Sequence, residues 1–331
     1  MRRFLLKCFY FLLPLILIIG IPTILYLKRD PYSDFGQKKN YSWKYNFQSL
    51  GDISTKKLLH SSINYNSFIF GSSRSVGVFG CYLQKKIPNS KFFHYGNWNE
   101  TIGGIYQKIK LIDSLGYKID NAIIYIDTDY TFEGEGGCNP VDHYLLTKES
   151  RKQYIMEHYR NYFSNFNIDR LKILLGKKVG GAIFPNWESD LATNDPDHIC
   201  TDSIVTHYGD IIENTEYLYT IDSLKQSGFF YNRPESQTFK PKQISDFESK
   251  YLSGIKQIFN QHHTNYYVVI TPLYDELKFD PSDMTTIYQY FGKSVYDFSG
   301  NSEITKKISN YPDGKHFQKY ISKVILDSII K

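Results

Sequence analysis

The chain opens on an apolar run and then changes character. From Cys8 to Leu27 it reads CFYFLLPLILIIGIPTILYL, twenty residues without a charge. At 1.5 Å per residue a helix of this length spans about 30 Å, the thickness of a hydrocarbon core. The run ends in Tyr26, Leu27, Lys28 and Arg29 rather than at small residues, and it is longer than the apolar part of a secretory leader. An uncleaved anchor over residues 1–30 is therefore expected, with a cleaved signal peptide as the competing reading. Residues 31–60 are polar with little periodicity and read as a linker. Short apolar runs bounded by turn residues then recur at 67–70, 91–96, 122–127, 265–272 and 294–298. Each predicts a buried strand.

Helical periodicity fills the intervals. Ile105, Ile109 and Ile112 recur at i, i+4, i+7; so do Phe247, Tyr251, Ile255 and Ile258, and Phe317, Ile321, Val324 and Ile325 near the end. Strand and helix alternating in this way predict right-handed βαβ units, hence a three-layer α/β sandwich with a parallel five-stranded sheet over residues 61–331. Residues 133–242 break the rhythm with a helical segment (Lys148 to Phe163), an apolar piece (Leu171 to Phe184) and an acidic loop containing histidine. This is too long for a βα connection and reads as an insertion, a lid or recognition element. Lys177, Lys178 and several glycines argue against a second span there.

Composition narrows the function classes. Aromatic residues make up 17% of the chain, with 29 Tyr and 23 Phe, which suits a folded domain with a large core. The net charge is +5, yet Arg2, Arg3, Lys7, Lys28 and Arg29 against Asp30 already account for +4. The excess belongs to the anchor, and without a dense basic tract interleaved with aromatics a nucleic-acid partner is not expected. Basic residues flank the span on both sides, so charge does not orient it. Cys8 lies in the span; Cys81, Cys138 and Cys200 have no CxxC spacing. A metal cluster is not expected, and the alternatives are one disulfide, Cys138 to Cys200, or three unpaired thiols.

Two motifs carry chemistry. Gly71-Ser72-Ser73-Arg74 follows the first predicted strand and precedes a predicted helix from Val76 to Lys86. A serine at such a turn exposes its hydroxyl above the carboxyl edge of the sheet, although serine there is also a common helix cap. Asp313-Gly314-Lys315-His316 follows the last strand and leads into the final helix. A carboxylate three residues before a histidine can orient the imidazole while its other nitrogen takes a proton from serine.

In order and location the two motifs resemble the SGNH (GDSL-like) hydrolase and acyltransferase superfamily. FIFGSSRS is similar to its Gly-Asp-Ser block, with Ser72 in place of Asp, and YPDGKHF resembles its last block. The resemblance implies a flavodoxin-like SGNH fold with a catalytic triad of Ser73, Asp313 and His316. It also implies an oxyanion site from the N–H groups of Ser73 and Asn99, the latter standing where the family carries Gly. Asp129, in Asp127-Thr128-Asp129-Tyr130, occupies the place of the family's oxyanion Asn. Because an ionised carboxylate cannot donate, Asn97, Asn99 or Arg74 is expected to substitute, or fewer donors serve. No metal or cofactor is implied. Anchored relatives imply an extracytoplasmic domain on the cytoplasmic membrane that acts on envelope glycans, alongside an integral-membrane acyl donor.

Other constellations compete. AIIYIDTDYT also fits a haloacid-dehalogenase-type phosphatase, with Asp127 as nucleophile, Asp129 as acid/base, Thr271, Lys293, and Asp297 toward Mg²⁺. A catalytically silent SGNH-like domain that binds glycan or serves as a scaffold is the second alternative. Asp197, His198, Asp202 and His207 read as solvated loop residues, His143, His262 and His263 as ordinary histidines, and Pro272 as shaping a loop beside the cleft.

Overall fold

The computed structural model describes residues 1–32, 34–35, 50–77, 80–133, 142–177, 226, 228, 230–311 and 314–331. Cys138, Cys200, Asp197, His198, Asp202, His207 and Asp313 lie outside the described residues, as does most of the expected insertion. The chain divides into two compact units: residues 1–49 with 146–187, and residues 50–145 with 188–331.

The larger unit is built on the five apolar runs. β1 (Ser67–Gly71), β2 (Phe92–Gly96), β3 (Asn121–Ile126), β5 (Asn265–Ile270) and β7 (Val295–Asp297) form one parallel sheet in the order β2-β1-β3-β5-β7. Gly71 pairs with Gly96, Ile69 with Ile123, Ile124 with Val268 and Val269 with Tyr296. β1, β2, β3 and the carboxyl half of β5 are buried on both faces, so they read as continuous apolar runs rather than alternating ones. Phe68, Phe70, Ile124 and Val268 pack with residues of α5 (Ile102–Ser114), α8 (Asp246–His262) and α9 (Pro281–Phe291). Ile69, Ile123, Tyr125 and Val269 pack with Leu83 of α4 (Gly80–Lys86) and with Ile321 and Ile325 of α10 (Lys319–Ile329). Each fully buried Ile or Leu contributes about 1.5–3 kcal/mol. Strand order reverses between β1 and β3, and the crevice beyond the carboxyl ends at such a point is where ligands bind in open α/β sheets.

Local signals set the helix starts. Ser245 and Glu248 form a reciprocal capping box on α8, Thr101 accepts from Gly104 N to cap α5, and Asp280 with Pro281 opens α9. Thr238–Phe239 (β4) and Leu277–Lys278 (β6) form a second, two-stranded parallel sheet.

The polar stretch expected as linker departs from that reading. Leu50–His60 is a helix, α3, that buries Leu58, Asp52, Ser54 and Thr55. Its buried face is largely polar because it meets a polar network, and this is why hydrophobic periodicity misses it. His143 Nδ1 lies 2.9 Å from Asp52 Oδ1, Lys108 Nζ 2.5 Å from Glu100 Oε2, and Asp142 covers Gly51 so closely that a Cβ there would meet Asp142 Oδ1 at 1.6 Å.

Thr55 Oγ1 sits 2.8 Å from Gly51 O, 2.6 Å from Tyr95 OH and 2.9 Å from Asp142 Oδ2. The hydroxyl has one proton. A protonated Asp142 satisfies all three contacts, since Thr55 then donates to Gly51 and accepts from Tyr95 and Asp142. Burial, reinforced by Asp52 and Glu100 and opposed by Lys108, pushes the Asp142 carboxyl up to about 7. A carboxyl raised on folding binds its proton more tightly in the native state. Its stabilisation is complete below the unfolded pKa, about 4, and is lost as pH rises through about 7. The urea midpoint of the full chain in detergent is expected to fall as pH rises from about 4 toward about 7 and to level off above that, and Asp142→Asn to flatten that slope. An identical slope in the variant removes Asp142 as its source.

In the smaller unit, α1 (Arg2–Leu15), a π-helical segment (Ile16–Gly20) and α2 (Ile21–Arg29) follow one another along the N-terminal apolar run. Phe9–Arg29 is long and apolar enough to cross a membrane, a property it shares with signal sequences. Asp30, at φ +46°, ends α2, and its carboxylate accepts from Asp34 N (2.7 Å) and Phe35 N (3.1 Å). Two helices of the expected insertion belong to this unit, α6 (Lys148–Ser164) and α7 (Ile168–Leu174).

Candidate functional site

The site grows from the end of β1. A Cβ at Gly71 would lie 2.7 Å from Tyr125 Cβ, so glycine lets the strand finish against β3. The chain then turns. Ser72 Oγ accepts from Arg74 N at 3.1 Å, while Ser72 O accepts from Ser75 N (3.0 Å) and Ser75 Oγ (2.7 Å). This closes the 3₁₀ turn Ser73–Gly77. Beneath it, Ser75 Oγ is 2.9 Å from His94 Nε2. Because Ser75 gives its proton to Ser72 O, His94 presents Nε2–H to Ser75. Burial, with Lys108 adding to it, drives the His94 imidazole down to about 4, so it stays neutral.

Ser73, the partly exposed serine of the three, reaches across to the other end of the chain. Its Oγ is 2.9 Å from His316 Nε2, 243 residues away. His316 precedes α10, and the adjacent Phe317 is 7% exposed in the core. Gln318 N donates to Asn310 O at 2.7 Å, which fixes the strap that carries the imidazole.

Arg74 binds the two segments together. Its Nε donates to Lys315 O (2.7 Å), the residue before His316, while Nη1 and Nη2 form a fork on Asp129 (2.7 and 2.8 Å). Nη1 also lies 3.3 Å from Asp127 Oδ1, and the guanidinium stacks 5.1 Å from the Tyr130 ring centroid. Burial alone would lower the proton affinity of Arg74. Asp127, Asp129 and Tyr130 outweigh it and hold the group cationic. Lys240 Nζ donates to Asp129 O at 3.1 Å, bringing the segment after the expected insertion to the rim.

The residues expected to support an oxyanion divide. Asn99 is exposed and left-handed at φ +43°. Asn97 turns inward: its Oδ1 accepts from Gly51 N (3.1 Å) and Trp98 N (2.9 Å), and its Nδ2 is 3.5 Å from Asp142 Oδ1. Arg74 and Asp129 are partnered with each other. The side chains of Asn97, Arg74 and Asp129 thus each have protein partners.

The structure brings two members of the phosphatase constellation, Asp127 and Thr271, together and separates Lys293 from them. Asp127 is fully buried, accepting from Thr271 Oγ1 at 2.5 Å. Lys293 precedes β7, whereas Asp127 follows β3; in a parallel sheet those positions lie at opposite edges. Asp297 accepts from Lys278 Nζ (3.2 Å) and from Ser299. Among the described residues no group of three or more His, Cys, Asp or Glu is placed to hold a metal ion.

A hydroxyl within hydrogen-bond reach of an imidazole, at the strand-order reversal, is equipped for base-assisted nucleophilic attack. Sequence reasoning missed Ser75, His94 and the bracing by Arg74. Only the Ser-x-Ser spacing hinted that one serine serves the turn while another faces solvent. The chain matches no protein-family model and no curated protein.

Proposed function

We propose that this chain is a membrane-anchored serine ester hydrolase or O-acyltransferase of the SGNH type. The observation that carries the reading is the 2.9 Å approach of Ser73 Oγ to His316 Nε2. The strand order, with helices against both faces, agrees with the three-layer flavodoxin-like arrangement. Ser73 Oγ attacks the acyl carbon as His316 Nε2 takes the hydroxyl proton. The carbonyl pair moves onto oxygen, where the N–H groups of Ser73 and Asn99 receive it. Collapse breaks the ester C–O bond, His316 returns its proton to the departing alkoxide, and a seryl ester remains. Water or a glycan hydroxyl, deprotonated by His316, then releases the acyl group. Asp313, assigned by resemblance, orients the imidazole.

The anchor is read as retained because Tyr26, in the last turn of the apolar helix, is 1% exposed in a core with Tyr162 and Leu174. Cleavage would remove that ring. The resemblance then places the domain outside the cytoplasmic membrane, acting on envelope glycans beside an integral-membrane acyl donor.

A fluorophosphonate probe applied to the full chain in detergent is expected to phosphonylate Ser73, mapped by mass spectrometry, and His316→Ala to suppress that labelling. One observation favours the silent glycan-binding reading: Asp129, in the donor's place, is locked by Arg74. A folded chain left unlabelled decides for it.

A further inference from the structure

α5 turns Ile102, Ile105, Ile109 and Ile112 into the core, and on the same buried face it carries Lys108, 1% exposed. An ammonium withdrawn from water is costly unless its N–H groups and its charge are met. Here they are met chiefly by the β2–α5 loop. Nζ donates to Gly96 O at 3.3 Å, where β2 ends, and to Glu100 Oε2 at 2.5 Å, just before Thr101 caps α5. It also lies 4.7 Å from the Tyr95 ring centroid and 3.8 Å from Asp142 Oδ2. One side chain thus grips both ends of the segment 96–100.

That segment leaves the sheet beside the turn that carries Ser73. Gly96 pairs with Gly71 across β1 and β2, Asn97 N donates to Gly71 O at 3.1 Å, and the turn Ser73–Gly77 follows. Asn97 is fastened in its own right, its Oδ1 accepting from Gly51 N and Trp98 N. Asn99, exposed at φ +43°, lies between the two gripped ends in a conformation that is costly for an L residue. Such a residue persists where its surroundings over-determine it. The charge-assisted bond from Lys108 to Glu100, the next residue, supplies that constraint.

We infer that Lys108 is a positioning residue for the reaction: by clamping Gly96 and Glu100 it holds the Asn99 N–H where it meets the developing oxyanion. The inference rests on the hydrolase reading of Ser73 and on Asn99 as an oxyanion donor. A lysine that only neutralised Glu100 and Asp142 would act on stability alone. One that directs a donor acts on turnover, because a displacement of about 1 Å forfeits transition-state stabilisation while ground-state binding persists.

Two variants open the clamp from opposite ends. Lys108→Met with Glu100→Gln removes the ammonium without stranding a charged Glu100, and Glu100→Ala frees the loop end while Asp142 stays beside Lys108 as counter-charge. In the full chain in detergent, with folding checked by urea unfolding, each is expected to lower kcat for p-nitrophenyl acetate about 10²-fold, with KM within about twofold of the parent. Asn99→Val, which denies the left-handed conformation, is expected to lower kcat as much, and its combination with Glu100→Ala to lower it no further. A folded clamp variant with parental kcat overturns the positioning role, as does a combination in which the two losses multiply. Asn99→Val at the parental rate overturns it even where a clamp variant fails to fold. Parental turnover no faster than that of Ser73→Ala overturns the hydrolase reading itself, and the inference falls with it.

Discussion

Ser73→Ala is expected to lower hydrolysis of p-nitrophenyl acetate by at least about 10³-fold while leaving the thermal unfolding transition nearly in place. Removal of the nucleophile from serine triads costs up to about 10⁶-fold in turnover, and an activated ester, with its higher background, reveals less of that. Two neighbouring hydroxyls stand close enough to raise the question of substitution. Ser72 Oγ accepts from Arg74 N, and Ser75 donates to Ser72 O while facing His94. Both hold the turn and both are buried. Ser73 contributes little to the core, so its methyl replacement costs little stability. Equal rates for the variant and the parent chain would remove Ser73 as nucleophile and leave the silent domain as the better description.

The legible part of the molecule is the part governed by hydrophobic runs. All five strands lie where apolar residues cluster between turn residues, because a parallel sheet buried on both faces needs such runs. Ile105, Ile109 and Ile112 line the buried face of α5 as their spacing implies. α3 escaped because Asp52, Ser54 and Thr55 bury polar atoms, a pattern indistinguishable in sequence from a solvated linker. α9 carried a readable start in Asp280-Pro281, yet Met284, Ile287 and Phe291 make a thin stripe. The meeting of Ser73 and His316 was inferable only by family resemblance, since nothing local links positions 243 apart. Arg74 illustrates the remaining gap. An arginine beside a partly exposed serine invites a substrate role, and only the positions of Lys315 and Asp129 reveal that its guanidinium is directed into the protein.

That bracing makes Arg74→Met the largest expected stability change, a loss of about 3–5 kcal/mol in denaturant unfolding. The Arg74 side chain is 4% exposed and the Asp127 side chain 0%, so the charge left behind has no access to water. The penalty arises mainly from Asp127, now buried beside Thr271 without its cation, so Arg74→Met with Asp127→Asn is expected to recover a substantial part of it. Activity follows a different path. Losing the Nε donor to Lys315 O frees the strap that carries His316, and the rate is expected to stay low in the double variant even where stability returns. Arg74→Lys separates charge from geometry: an ammonium neutralises Asp127 but cannot span Asp129 and Lys315 O together. It should therefore be more stable than Arg74→Met yet still impaired in esterase turnover. A double-mutant cycle with Asp129→Asn measures the fork directly, and a coupling within about 0.5 kcal/mol of zero would show that the brace contributes neither stability nor position.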